Sequence, residues 1–547
     1  MKADTVFMNG EIITVDQTNR VAESVAVKDN RIIAVGTNQQ MQDYITKETD
    51  IIDLKGRSLL PGFIDAHLHL TIYGTNLLGV SCIEPHISSL QDIFMDLKQK
   101  AAETPKGHWV RAWGFNETKL KENRFPTKEE LDDLSSDHPI VVIRTCNHTS
   151  IANSKALAIA NITESTENPE GGIIERDPDE RLTGKLLENA HMQLFEYAAY
   201  DNEEIRKGIK LASDEFIKAG ITSIHDAGAY GDGAESLRIM QQSANADELK
   251  VRVYALVGSL TDSHEFVDRM MKAGPITGFG NEFLKIGPAK LFIDGSSVGP
   301  TLATREPYTH APDDCGILYY SQDKLNLILG EAHKRGFQIT SHAQGDKAIE
   351  MLLDCIETAL SEHPRENHRH RIEHAGIASP DLVERMKKLG VVPIPNPAFI
   401  HENGDKYLEF YGSRVNNMYP ARDYLEQGII AAFASDAPVV SCNPLLGIHA
   451  AVNRQSWQSQ PVGETQRISI MDAIRAYTWN GAYASFEENI KGSIEAGKLA
   501  DLVVLNRSLL HSDQSAIKDI QVDLTMIDGK ILYNQEQLGA THKKLHS

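Results

Sequence analysis

Apolar and polar residues alternate in two textures along this chain. Residues 4–54 carry short runs such as "TVFMNGEIITVD" and "SVAVKDNRIIAVG", in which β-rich stretches are separated by turn residues at Asn9-Gly10 and Asp29-Asn30. The C-terminal end repeats this texture in "GSIEAGKLADLVVLNRS" and "VDLTMIDGKILYN". Two β-rich ends around a long middle predict one small sandwich built from both termini, from residues 1–58 and 489–547. Two separate β appendages are the other reading.

From Gly62 the pattern changes. Short apolar strands end in polar residues and are followed by helix-like stretches: "FIDAHLH", "ITSIHDAG", "VRVYALVG", "LKIGPAKLFIDG", "FQITSHAQG", "HRIEHAG", "VVPIPNP" and "IIAAFASDAP". Strand alternating with helix predicts parallel β/α units, and these strands fit a closed (β/α)8 TIM-like barrel. About 150 residues separate "HLHL" from "AGITSIHDAG", too many for one βα connection. They hold strands of their own, "HWVRAWGF" and "PIVVIRTCNHTS". The expected α/β organisation is therefore a first barrel strand at 59–75, an inserted subdomain at 76–205 above the barrel mouth, and the rest of the barrel at 206–488.

Composition narrows the function classes. The chain has 547 residues, 41% hydrophobic and 24% charged, enough for a large buried core. A formal net charge of −21 argues against a nucleic-acid partner, which requires a basic face. No apolar run approaches the roughly 20 residues of a membrane span. The N-terminal "MKADTVFMNGEIITVD" shows no secretory signal pattern. The five cysteines stand singly, so a reducing, cytoplasmic location is expected.

In "FIDAHLHL", Phe63, Asp65, His67 and His69 share one strand face, and Ile64, Ala66, Leu68 and Leu70 share the other. The apolar set suits packing on barrel helices. That turns His67 and His69 inward at the strand's C-terminal end, where barrel chemistry occurs. Two adjacent neutral imidazoles suit a divalent metal. Further strand ends terminate in His342, His374 and Asp436, each metal-competent. Lys290 in "GPAKLFIDGS" is an unusual inward residue. Beside a dication its pKa would fall, and a neutral amine can take up carbon dioxide as a carbamate able to bridge two metals. A lysine that snorkels outward, or pairs with Asp294, is the alternative.

"PGFIDAHLH", "SIEAGKLADLVVL" and the strand-end set resemble the metal-dependent amidohydrolase superfamily. The closer resemblance is to the branch with N-substituted formamide deformylases (amidohydrolase family 3). It is carried by "WVRAWGFNE", "NHTSIANSKAL", "GGIIERDPDERLTGKLLENA", "KLFIDGS", "SHAQGD", "RIEHA" and "SDAPVVSCNPLLGIHAAVNR" across nearly the whole chain. The resemblance implies two metal ions, zinc being the expected cofactor. His67 and His69 would hold one with Asp436, and His342 and His374 the other. Lys290, carboxylated, would bridge them. His148 would lie near the substrate, and His225 and Asp226 at the second strand end. Asp65 would orient a ligand histidine. Read from the residues themselves, Trp113 and Phe115 are candidates for the pocket wall, with the core of the inserted β unit as the alternative. Pro300 stands where relatives often carry a basic residue, and Arg305 is a possible substitute.

The implied reaction is hydrolysis of a C–N amide bond other than a peptide bond, in an N-substituted formamide or N-acyl amine, by a metal-bound hydroxide. Asp436 would be the general base and then acid, with a small-molecule amide as the partner and a homodimer expected from the family. Cyclic amides or esters on the same metals are alternatives. A mononuclear deaminase would carry a proton-shuttling glutamate three residues after His342, where this chain has Gly345. A decayed, non-catalytic barrel would have lost ligands, and here every candidate position is competent. "ENHRHRIEHAG" reads as a start-of-strand cluster in which His368 and His370 lie far from the active end.

Overall fold

The computed structural model describes residues 2–83 and 87–535. Seven parallel strands form one sheet: β1 (Phe63–Leu68), β2 (Ile221–Asp226), β3 (Arg252–Val257), β4 (Leu284–Phe292), β5 (Ile339–Ala343), β6 (Arg371–His374) and β7 (Val392–Ile394). Each pairs only with its neighbours in sequence order, from β1–β2 through β6–β7. Helices follow the strands as the periodicity predicts, among them Gln322–Lys334 after β4 and Asp346–Glu362 after β5.

The eighth candidate strand, "IIAAFASDAP", closes the gap without a regular ladder. The amides of Ala432 and Ala434 donate to the carbonyls of Pro393 (3.1 Å) and Pro395 (3.2 Å) on one side. On the other side Ala66 N–H donates to Phe433 (3.1 Å) and Asp436 N–H to His67 (2.8 Å). Pro393 and Pro395 have no N–H, so they return no bond to this segment, and a regular ladder cannot form. The result is an α/β TIM-like barrel whose closing segment is bonded to both neighbours.

Both termini share one β-rich unit. Strand Leu502–Leu505 runs antiparallel to Ser58–Pro61, in the register Leu502↔Pro61 and Val504↔Leu59. The six-stranded sheet they help form packs on a four-stranded sheet of residues 5–53. Phe7, Val25, Val27 and Ile52 of the smaller sheet meet Leu59, Leu502, Val504 and Leu524 of the larger in one buried cluster. The N- and C-terminal β textures thus form one composite sandwich, held by apolar burial.

After the helix Leu70–Asn76 the chain leaves the barrel and builds a separate six-stranded sheet. Its members include Val110–Phe115, Ile140–Arg144, Thr149–Ala152 and Leu182–Glu188. The stretch "PTKEEL" begins a short helix. Thr127 caps Lys128–Asp132, with Glu130 returning the bond in a capping box. Helix Asn202–Lys218, capped by Asp201 and Glu204, leads back to β2. No helix among the described residues is long and apolar enough to cross a membrane.

Gly62 carries the chain from the sandwich into β1. A Cβ there would lie 2.2 Å from the Thr222 side chain, which is buried. Gly62→Ala therefore overpacks this seam and should destabilise by about 1–3 kcal/mol. Thermal unfolding would show a lowered midpoint; an unchanged midpoint would contradict so close an approach.

Candidate metal centre

β1, β5, β6 and the closing segment deliver His67, His69, His342, His374 and Asp436 to one buried place, none more than 7% exposed. The rings are contiguous: His67–His374 centroids lie 4.7 Å apart and His342–His374 4.6 Å. Strand alternation explains His67 and His69. His374 needs more, because Glu373 and Arg371 already occupy the interior face of β6, and Asp436 lies on a closing segment with no regular ladder. Both residues adopt left-handed backbone, with φ of 71° at His374 and 64° at Asp436. That conformation is uncommon outside glycine and turns each side chain off the strand's alternation.

Each imidazole is held from behind through Nδ1. His67 Nδ1 meets Glu373 Oε2 at 2.5 Å, and His69 Nδ1 donates to the Gly228 carbonyl at 2.6 Å. His342 Nδ1 donates to Asp294 Oδ1 at 3.0 Å, and His374 Nδ1 to Asn396 Oδ1 at 2.7 Å. An acceptor at Nδ1 places the proton there and leaves the Nε2 lone pair free, which is how metal-binding histidines are oriented. His67 Nε2 and His69 Nε2 both lie 3.4 Å from Asp436 Oδ1. His67 Nε2 and Asp436 Oδ1 are buried without a hydrogen-bond partner. One ligand atom from each of His67, His69 and Asp436 lies within 4.8 Å of the others. Orphaned buried donors and acceptors are costly, and a divalent cation among these groups would satisfy them. The donor set fits a divalent metal.

The charge states of His342, His374 and Asp436 suit a cation, while Asp436 and Glu373 outweigh burial and raise His67 when no ion is bound. Burial, reinforced by positive neighbours, holds His342 and His374 well below the ordinary histidine range, so both are neutral and ligand-ready. Burial opposes ionisation of Asp436, but His374, His67 and His69 outweigh it and keep the carboxyl well below its usual value. Lys290 is fully buried on β4, and desolvation brings its ammonium down to about 8. Its Nζ donates to the Ala227 carbonyl at 2.9 Å, so the pairing with Asp294 is not formed.

Asp294 instead receives four N–H groups: His342 Nδ1 and the amides of Ala303, Gln344 and Gly345. Burial pushes its carboxyl up to about 7 against those donors. Among the described residues no hydrogen bond joins Asp65 to an imidazole ring. Its Oδ1 accepts the Ser435 amide at 3.0 Å and the His67 amide at 3.2 Å, tying β1 to the closing segment. The carboxylate behind His67 is Glu373, which the sequence reading passed over. Arg371 grips Glu373 with two bonds, at 2.8 and 2.9 Å, and Thr340 adds a third at 2.7 Å. Asn396 and Glu188 were also missed.

His225 Nδ1 pairs with Arg371 at 2.8 Å, one layer below the cluster. Asp226 accepts the Leu70 amide at 2.8 Å and so steadies the start of the helix that follows His69. Arg305 is not available to a substrate acid: Glu350 and Asp381 hold its guanidinium at 2.8 and 2.9 Å. Trp113 lies half-buried in the inserted sheet, and among the described residues no ring contact or hydrogen bond joins it to the cluster. His148 comes from the inserted subdomain, with Nδ1 2.7 Å from Glu188 Oε2. His370 and His368 lie elsewhere, and His370 Nε2 is already bonded to His333 Nδ1 at 2.9 Å.

A model of the amidohydrolase family matches residues 50–533. The chain belongs to that family. This amidohydrolase is 29% identical to the N-substituted formamide deformylase of Arthrobacter pascens, over 97% of this chain and 98% of that protein. It is 30% identical to Protein LONG AFTER FAR-RED 3 of Arabidopsis thaliana, over 97% and 92% of the two chains. An uncharacterized metal-dependent hydrolase from Pyrococcus horikoshii OT3 superposes with a TM-score of 0.76 at 27% identity, covering 93% of this chain and 99% of that one.

If Glu373 orients His67 toward a metal, Glu373→Gln should weaken zinc affinity about 10- to 100-fold. Chelator competition would measure it. Wild-type affinity in that variant would remove Glu373 from the metal's support.

Proposed function

We propose that this amidohydrolase cleaves the C–N bond of a linear amide, an N-substituted formamide or N-acyl amine. The observation that carries the reading is the set of four histidines fixed through Nδ1 around Asp436, in a chain that aligns along its length with a formamide deformylase. His67, His69 and Asp436 would hold one divalent ion, zinc being the expected one, and His342 and His374 a second. When bound there, a divalent ion activates water near neutral pH and polarises a carbonyl.

Lys290 would join the two positions. Burial favours its neutral amine. That nitrogen adds to the carbon of carbon dioxide and loses one proton, leaving an anionic carbamate with two oxygens. Asp436 is the acid–base group. Its carboxylate takes a proton from the attacking water and returns it to the amine nitrogen as the C–N bond breaks. The carbonyl carbon leaves as a carboxylic acid and the nitrogen as a free amine. His148, charged and held by Glu188, would donate from Nε2 to the carbonyl oxygen as negative charge builds there.

A mononuclear deaminase lacks its shuttle here. The position three after His342 is Gly345, and its amide is engaged with Asp294. Hydrolysis of lactams or esters is the remaining competitor, and a substrate panel separates it from linear amides. N-formyl and N-acyl amines should turn over faster than lactams or esters; the reverse order would displace this reading.

Asp436→Asn should keep most of its bound metal, measured by elemental analysis, while kcat falls about 100-fold or more. Near-wild-type turnover in that variant would refute the acid–base role.

A further inference from the structure

In the reaction proposed above Glu188 neither binds a metal nor touches substrate; its one contact with that chemistry is His148. It ends the strand Leu182–Glu188, which runs antiparallel to Thr149–Ala152 in the inserted sheet. Its amide donates to the His148 carbonyl at 2.8 Å, so the two residues face each other across the strand pair. Its carboxylate binds in two directions. Oε2 meets His148 Nδ1 at 2.7 Å, within the subdomain. Oε1 accepts from Thr301 Oγ1 at 3.2 Å, and Oε2 from the Tyr319 hydroxyl at 3.3 Å. Thr301 and Tyr319 follow β4, on the same stretch of chain as Asp294, which holds His342. Glu188 is buried, and its backbone sits at φ 49°, ψ −123°. Asn147, beside His148, also has positive φ, at 55°. Two non-glycine residues held in such conformations at one contact indicate that the surrounding structure enforces it.

We infer that Glu188 is a positioning residue: it fixes His148 in one orientation and charge state, leaves Nε2–H as the atom offered to substrate, and fastens the inserted subdomain to the loop after β4. The inference rests on the amide-hydrolase reading for its consequence, though not for its geometry.

Electrostatics support it. Burial alone would neutralise His148. The charge and hydrogen bond of Glu188 outweigh burial, with smaller help from Cys146 and Asp436, and raise the imidazolium to about 9. His148 in turn lowers His342 and His191 and acts on Asp294. A fixed positive charge therefore stands within electrostatic reach of the histidine cluster, where an oxyanion would need one. Bonds to both subdomain and barrel loop make that placement depend on the two being docked together. One carboxylate thus ties the charged donor to both the inserted sheet and the loop after β4.

The test compares Glu188→Gln, Glu188→Asp, His148→Asn and the double variant Glu188→Gln/His148→Asn in the full-length, zinc-loaded protein. NMR of labelled histidine, assigned by the His148→Asn spectrum, follows the His148 titration. Glu188→Gln should bring it down from about 9 to or below the ordinary histidine value, and Glu188→Asp should restore much of the shift. With N-butylformamide as substrate, Glu188→Gln should lower kcat about tenfold or more with little change in KM. Its alkaline limb should move to lower pH, and zinc content should stay constant. Added to His148→Asn, Glu188→Gln should cost little further, because residues acting as one unit are not additive. An unmoved His148 titration, or an undiminished Glu188 effect without His148, would overturn the inference. If wild type does not turn over N-butylformamide, the formamide reading fails, while the titration still decides whether Glu188 sets the charge of His148.

Discussion

The site depends on one constraint: an imidazole is fixed with Nε2 toward a cation when an acceptor behind it holds Nδ1–H. Four histidines need four such acceptors, and the barrel supplies them from different strand ends. Glu373 stands behind His67, the Gly228 carbonyl behind His69, Asp294 behind His342 and Asn396 behind His374. Two of these supports are buried carboxylates, which are costly unless they are fully bonded. Glu373 is bonded by Arg371 and Thr340, and Asp294 by three backbone amides. Arg371 reaches further, to His225 and the Ala66 carbonyl. The barrel interior beneath the histidines is therefore a connected polar layer. Removing one member leaves a buried charge or donor unpaired, which binds these residues together energetically.

The segment that closes the barrel also completes the site. Asp436 lies on the segment that closes the barrel, and its amide bonds to the His67 carbonyl. Asp65 makes a second tie across that seam through Ser435. A barrel that failed to close would separate Asp436 from His67 and His69. The inserted subdomain adds further joins over the mouth, through Lys119–Glu402 and Thr145–Val439. The histidine cluster is correspondingly deep.

Much of this was legible in the sequence, because strand alternation and polar strand ends are local signals. "FIDAHLHL" announces its inward face, and "SHAQG" and "SDAP" announce strand ends. The terminal β textures and the long break after β1 likewise mark the sandwich and the insertion. What escaped depends on backbone geometry or on partners distant in sequence. Glu373 hid because it neighbours His374, and alternation forbids both facing inward; the left-handed turn at His374 lifts that restriction. The signal was present in "RIEH", where a charged pair two apart on a buried strand asks for a purpose. Asn396 sits between prolines in "PNP", where it reads as a turn. Asp65 shares a strand face with His67, but its Oδ1 is taken by backbone amides, Ser435 across the seam and His67 on its own strand. Arg305 looked free because its partners, Glu350 and Asp381, are 45 and 76 residues away.

Crystals of the zinc-loaded protein, with anomalous scattering recorded at the zinc edge, test the central claim most directly. The account predicts an anomalous peak ligated by Nε2 of His67, Nε2 of His69 and a carboxylate oxygen of Asp436, with Glu373 and Gly228 still on the two Nδ1 atoms. A metal bound through Nδ1 of either histidine, or an anomalous peak elsewhere with these residues bare, would contradict it.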